Sequence, residues 1–398
     1  MQHTARGMVM QFAHLLQQDL FPSLAAALGP LCPQMQLLAS VVSLIPMSGP
    51  LWARRAATGR PAKDRVALAT AFLAKAILNL PTTRDLMSRL RVDEPLRRLC
   101  GWNSAKAVPH ESKFSRAFAE FAATQLPQQL HEAIVAATQS TRLVGHIARD
   151  STAISARERF AETRQQREAR EAGEAERKAK SKRREGGFEQ AKAAERGTRI
   201  QRQRHQKVEQ MVADLPRGCD IGGKKNSRGE NHYWRGYKLH LDVADGQVPI
   251  SAILTSASVH DSQVAIPLMR MSSQRVVYLY DLMDSAYDAA AILAESGGLN
   301  HVPIVAPHPR RGTKSPSQCP KIYPDQPTPE LGRAQRERYK IRTMVERVNA
   351  RLKDEFGANH LRVRGAAKAM AHLMFGVVAL TVDQWLRMAR TGELETVN

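Results

Sequence analysis

Acidic residues are scarce in this chain. Over 398 residues, 38 Asp and Glu face 59 Lys and Arg, a formal charge of +21 and a sequence pI near 10.3. Cysteine is scarcer still: Cys32, Cys100, Cys219 and Cys319 lie far apart with no C-x-x-C pair. That excludes a disulfide scaffold or a zinc ribbon and fits a reducing compartment. Long apolar runs are missing too. The longest, Leu37 to Met47, is interrupted by serines and Pro46 and is too short to span a bilayer, and no secretory pattern opens the chain. The expectation is a soluble, cytoplasmic protein with no membrane partner.

What is present narrows the reading. A hydrophobic fraction of 43% supplies a large core and excludes wholesale disorder. The length suits two or three domains. The cationic excess attracts polyanions, nucleic acid first among them. A ribosome-associated or merely high-pI protein is the blander alternative.

Residues 1–140 read as helical. Val66, Ala69, Leu73, Ile77 and Leu80 recur at helical spacing after the Gly59-Arg60-Pro61 breaker. Leu86, Leu90, Leu96 and Leu99 repeat the pattern, with Pro95 expected to split it. Such a domain serves DNA binding, dimerisation or both. A strand then runs from Arg142 towards Ile154, with Asp150 expected at its carboxyl end. Residues 157–210 are rich in charge and alanine, which predicts a solvated helical or disordered insert. Beyond it, Gly222-Gly223-Lys224-Lys225-Asn226 reads as a glycine-rich basic turn without a P-loop pattern. A hairpin turning at Asp245-Gly246 follows. Next come a helix (262–271), a strand (275–282) with Asp284 beyond it, a helix (287–294) and a strand (302–306). A proline-rich loop, one long helix (333–356) and an apolar helix (368–385) complete the order, a mixed α/β class.

Within the long helix, Tyr339, Arg342, Glu346 and Lys353 fall in an arc of roughly 60°. Ile341, Val345, Val348 and Leu352 form a separate apolar stripe. One face anchors the helix while its neighbour presents a phenol, a guanidinium, a carboxylate and an ammonium. A plain surface pair between Arg342 and Glu346 is the competing reading. Two acids at strand ends, Asp150 and Asp284, together with Glu346 would make the hard oxygen set that Mg²⁺ or Mn²⁺ prefers. Taken singly, each Asp could simply cap the turn after it. Asp281, three residues before Asp284, competes for the second place. His260-Asp261 could be read as a metal pair, and Trp234 as a stacking platform or a core residue.

Tyr339-x2-Arg342-x3-Glu346-x6-Lys353 matches the Y-x2-R-x3-E-x6-K signature of bacterial insertion-sequence DDE transposases. Asp150 in Ala148-Arg149-Asp150-Ser151-Thr152 resembles that family's first catalytic Asp. Asp284, followed by Ser285-Ala286-Tyr287, resembles the second. Trp234 to His240 and Leu361 to Gly365 also look like segments of these proteins. The resemblance covers roughly residues 50 to 385. It implies an RNase H-like catalytic core, a mixed sheet flanked by helices, over 141–156 and 211–390. The insert is 157–210 and the helical N-terminal domain 1–140. Asp150, Asp284 and Glu346 would be catalytic and hold two Mg²⁺ or Mn²⁺ ions. Tyr339, Arg342 and Lys353 would contact DNA. The implied partners are inverted-repeat ends and target DNA, within a homodimer or larger synaptic complex, in a bacterial cytoplasm near the nucleoid.

Overall fold

The computed structural model describes residues 14–44, 64–139, 142–158, 198–225, 230–306 and 331–391. Its amino-terminal part is helical. A π-helical turn, Leu16–Leu20, leads into α1 (Phe21–Leu28), and α2 is Pro33–Leu44. Helix α3 (Arg65–Ile77) starts where the Asp64 side chain accepts from the Val66 and Ala67 N–H groups. Its alanines and leucines are buried almost all round, as an interior helix requires. The 85–99 pattern divides as expected, into α4 (Thr83–Val92) and α5 (Glu94–Leu99). Asp93 ends the first and caps the second, with Pro95 in the first turn where its missing N–H costs nothing. Helices α6 (Glu111–Ala123) and α7 (Leu126–Gln139) follow.

Among the described residues six strands form one sheet: β1 (Leu143–Ser155), β2 (Asp220–Lys225), β3 (Asn231–Ala244), β4 (Val248–Ser256), β5 (Val277–Met283) and β6 (Val302–Val305). The order is β2-β3-β1-β5-β6, with β4 also paired to β3. β3 is antiparallel to β1, β2 and β4, whereas β1, β5 and β6 run parallel. Between strands lie the short helices α8 (Arg199–Gln203) and α9 (Val208–Asp214), then α10 (Ser262–Ser273) and α11 (Ala290–Gly298). Helices α12 (Arg333–Lys340), α13 (Thr343–Asp354) and α14 (Ala366–Thr391) close the chain. This is the mixed sheet flanked by helices that the sequence leads one to expect.

The amino-terminal helices and α14 share one core. Phe375 of α14 stacks on Phe72 at 5.8 Å between ring centroids and meets Phe118 at 6.3 Å and Phe121 at 6.5 Å. Aromatics buried this way resist truncation to alanine by about 3–5 kcal/mol each. The same apolar cluster continues through Leu239, Leu241 and Leu282 of the sheet to Val345, Val348 and Leu352 of α13. By length and apolar character Ala366–Ala389 could cross a membrane, yet 67% of that stretch is buried in the protein, so its apolar surface goes to the core.

Four local expectations are corrected. β1 does not end at Asp150 but continues to Ser155, because β3 keeps pairing with it as far as Gly236 after β5 has stopped. The expected glycine-rich turn is strand β2, whose Gly222 and Gly223 pair with Trp234 and Tyr233. The helix expected over 333–356 breaks at Ile341-Arg342, where backbone bonds tighten to three-residue spacing, as in Arg342 N–H to Tyr339 O at 3.0 Å. The carboxyl end of the expected insert is packed: Gln203 of α8 is fully buried, and Ile200 and Val208 lie against the cluster of Ile266 and Met269 of α10. Residues 159–197 lie outside the described residues.

Candidate active site

The strand register places the first two candidate acids. β1 and β5 pair in parallel, Ile147 with Asp281 and Ala148 with Leu282. Two residues further along each chain stand Asp150 and Asp284, where β5 has ended and β1 runs on. The Asp284 side chain accepts from the Ala286 N–H at 2.9 Å, capping the short 3-10 turn Ser285–Tyr287. Its other oxygen has no such tie among the described residues.

The two carboxylates feel each other. Burial pushes the Asp150 carboxyl up to about 6. The Ser151 N–H opposes this, the Asp284 charge adds to it, and Lys224 and Arg342 draw it back. Burial raises Asp284 as well, opposed by the Ala286 N–H and reinforced by the charge of Asp261. Tyr287, wholly buried, lies within reach of Asp150, Asp284 and Asp261, which together with burial raise its hydroxyl well above the ordinary value.

Helices α12 and α13 bring the remaining candidates. The apolar stripe of α13 is buried as expected: Val345, Val348 and Leu352 are at most 1% exposed. On the adjoining face Arg342 Nη2 donates to Glu346 Oε1 at 2.6 Å, and its guanidinium lies 5.6 Å from the Tyr339 ring centre. The Arg342 charge also acts on Asp150 and Asp284. Burial raises the Tyr339 hydroxyl, Arg342 opposing. Lys353 is lowered by burial and by the neighbouring Lys224, with Asp150 opposing. Tyr339, Arg342 and Lys353 thus gather around the aspartate pair.

Glu346 does not join the aspartates. Its side chain is 50% exposed and engaged by Arg342. Among the described residues, no three His, Cys, Asp or Glu side chains converge closely enough to hold an ion. The physical reason is the guanidinium: it satisfies Glu346 while also facing the pair. The pair itself suits a divalent cation: two adjoining carboxylates, raised first of all by burial and only partly offset by Lys224 and Arg342, are hard oxygen ligands that a cation would hold ionised.

The competing residues have other places. Asp281 is fully buried, on Arg149, Tyr278, Ser296 and His301, and faces away from the site. His260 Nδ1 turns to Ser262 Oγ at 2.8 Å, while Asp261 accepts from Lys238 Nζ at 3.0 Å, so they do not act as a pair. Trp234 is 7% exposed and donates from Nε1 to Tyr237 O at 3.0 Å, the core alternative.

Three further charged residues lie near the site: Lys224, Lys238 and Asp261, the last read in the sequence only together with His260. Asp261 sits beside Lys238 and His240 and takes a hydrogen bond from Ser151, the residue after Asp150. Burial lowers His240 to about 4, against the pull of Asp261. The alternation of Lys238 and His240 along β3 could have flagged one inward face; nothing could have brought Lys224 to the acids from afar.

Comparison with known families bears on the chain as a whole. The family described as Transposase DDE domain matches residues 145–382, more than half of the chain. The chain belongs to the DDE transposases. A second family, described as Transposase domain, matches residues 27–120 of this transposase, within its helical part. No curated protein matches the chain, and no solved structure does. The mixed sheet is the transposase's RNase H-like core, and the family generally uses divalent metal ions.

Proposed function

We propose that this transposase cuts DNA at the inverted-repeat ends of an insertion sequence and joins the freed 3′-hydroxyl to target DNA. The observation that carries the reading is the pair Asp150 and Asp284. They stand side by side where β5 ends, raised by burial, with cationic residues around them. Two Mg²⁺ or Mn²⁺ ions bound there would activate the attacking oxygen and stabilise the leaving one.

The chain's own residues supply the rest. Asp150 and Asp284 are the ligands held by the sheet. Glu346 is the third, and completing the set requires Arg342 to exchange it for a DNA phosphate. A guanidinium suits that exchange, because it pairs with carboxylate and phosphate through the same planar fork. Lys353 contacts the DNA end, and Tyr339 orients Arg342 through its ring. Charge of +21 makes binding strongly salt-dependent. We place the catalytic domain at 141–156 and 211–390, the insert at 157–210 and a DNA-binding or dimerising domain at 1–140. The working form is a homodimer or larger synaptic assembly in the cytoplasm.

The test is cleavage of a supercoiled plasmid bearing the element's own ends, in Mg²⁺, Mn²⁺ or EDTA, beside Glu346→Gln. Metal-dependent nicking at the ends, absent in the variant and followed by joined strands, is expected. Nicking that survives the substitution removes Glu346 from the site. Cutting without joined products makes the chain a nuclease, and binding without cutting makes it an inactive DNA-binding derivative.

A further inference from the structure

Two ammonium groups approach the aspartate pair from different elements. Lys353 comes from the end of α13 and Lys224 from β2. The Lys224 charge acts on Asp150, on Asp284 and on Lys353. Among the described residues, neither lysine has a carboxylate within ion-pair range. Bringing like charges together costs energy, so the arrangement gains most from an anion that meets both.

Backbone pairing explains why Lys224 is there. In the ribbon of β2 and β3, Gly222 faces Trp234 and Lys224 faces His232, so these four share one face. Gly222 and Trp234 are buried, so that end of the face is pressed onto the body of the protein, while Lys224 and His232 at the other end are exposed. A Cβ on Gly222 would lie 2.5 Å from the Trp234 ring and 2.7 Å from the Ala257 carbonyl oxygen. Only glycine allows this approach. The opposite face is open: Ile221 is 56% and Tyr233 67% exposed. The ribbon is therefore held against the site on the side that carries Lys224, two residues beyond the glycine.

The geometry points to Lys224 as a further substrate-contacting residue, which together with Lys353 grips the DNA backbone phosphate at the cleavage point. The inference rests on the transposase reading above. A phosphodiester brings one negative charge and two free oxygens, which two ammonium groups on separate elements can meet. Carboxylates loaded with cations would in turn release Lys224 from their own pull.

The experiment uses the full chain and a short duplex carrying one end of the element that encodes it. Binding is measured in Ca²⁺, without cutting, across a salt series. Lys224→Ala should reduce the log–log salt slope by about one, and Lys224→Arg should restore it. A single uncharged methylphosphonate, moved through the phosphates at the cleavage point, should at one position weaken wild type as much as Lys224→Ala does. On that duplex the substitution should cost nothing more. Losses that add at every position overturn the proposal, as does an unchanged slope. So does a variant that alters only the Mg²⁺ requirement of cleavage, which would make Lys224 a mere counter-charge to the acids. Cleavage by wild type in Mg²⁺ is followed in parallel. Its absence overturns the transposase reading, whereas the binding series decides Lys224 in either case.

Discussion

Arg149 and Asp150 are neighbours in sequence and belong to opposite faces of the sheet. So do Asp281 and Asp284, three residues apart. On one face Arg149 makes a bidentate pair with Asp242, at 2.8 and 2.7 Å, and reaches Asp281 at 3.4 Å. All three are fully buried. Ser272 donates to Asp242 at 2.7 Å; Ser296 and Tyr278 donate to Asp281 at 2.7 and 3.0 Å. Burial raises both acids: at Asp281 it is outweighed by His301, Arg149 and Ser296, which hold it below the usual carboxylate range, whereas Asp242 stays raised against the opposing Arg149 and Ser272. On the other face Asp150 and Asp284 are only partly buried, repel one another and sit above that range. The same residue types make a closed structural network on one side and an open cluster on the other. What separates them is completeness: a network with every oxygen satisfied needs no ligand, and one left short is set up to take one.

The sharpest way to break the comparison is to damage the closed side. Arg149→Met leaves Asp242 and Asp281 buried without their cation, and losing one partner of such a pair costs about 3–5 kcal/mol. Urea denaturation should show a loss of that size. A loss below 1 kcal/mol would mean that the triad is not a structural keystone. The matching change on the open side is Asp284→Asn. It removes a charge that makes no ion pair among the described residues, so stability should move by no more than about 0.5 kcal/mol, while metal-dependent cleavage is lost. Asp281→Asn should do the reverse, lowering stability first. If Asp281→Asn kept its stability and lost cleavage while Asp284→Asn did not, the two assignments would have to be exchanged.

That pair also shows how far the sequence could be read. Strands, helices and their order follow from apolar spacing, and the α13 stripe of Val345, Val348 and Leu352 is buried as its period demands. Choosing Asp284 over Asp281 needed the residues around them, since both follow the same apolar strand. Burial separates them only once α10, α11 and Arg149 are folded around Asp281. Lys224 was hidden for a different reason. Glycines read as a turn, yet Gly222 is a strand residue flattened under Trp234, a contact between distant positions. The break at Ile341-Arg342 was equally hidden, because a stretch of good helix formers carries no local mark of a tightened turn. The N-terminal helices read as separable, and no period in the sequence shows that Phe375 stacks on Phe72.

The smallest expected effect concerns the open side without metal. Asp150 has a pKa raised to about 6 by burial, with Asp284 adding. An unfolded aspartate titrates near 3.9. The folded state therefore holds the proton more tightly, and its advantage is complete below the unfolded value. It is lost as pH rises through about 6. In EDTA the thermal midpoint contributed by this site should fall between roughly pH 4 and 6 and stay level above. Asp150→Asn should flatten that fall and raise the midpoint at pH 7 by a few degrees, because the amide carries no charge to desolvate or to oppose Asp284. Added Mg²⁺ should raise the wild-type midpoint at pH 7 and lose most of that effect at pH 5, where the proton competes for the same oxygens. It should do little for the variant at either pH. Equal midpoints for wild type and Asp150→Asn across this range would mean that the carboxylate is solvated rather than strained. The contrast between the two faces of the sheet would then rest on Asp284 alone.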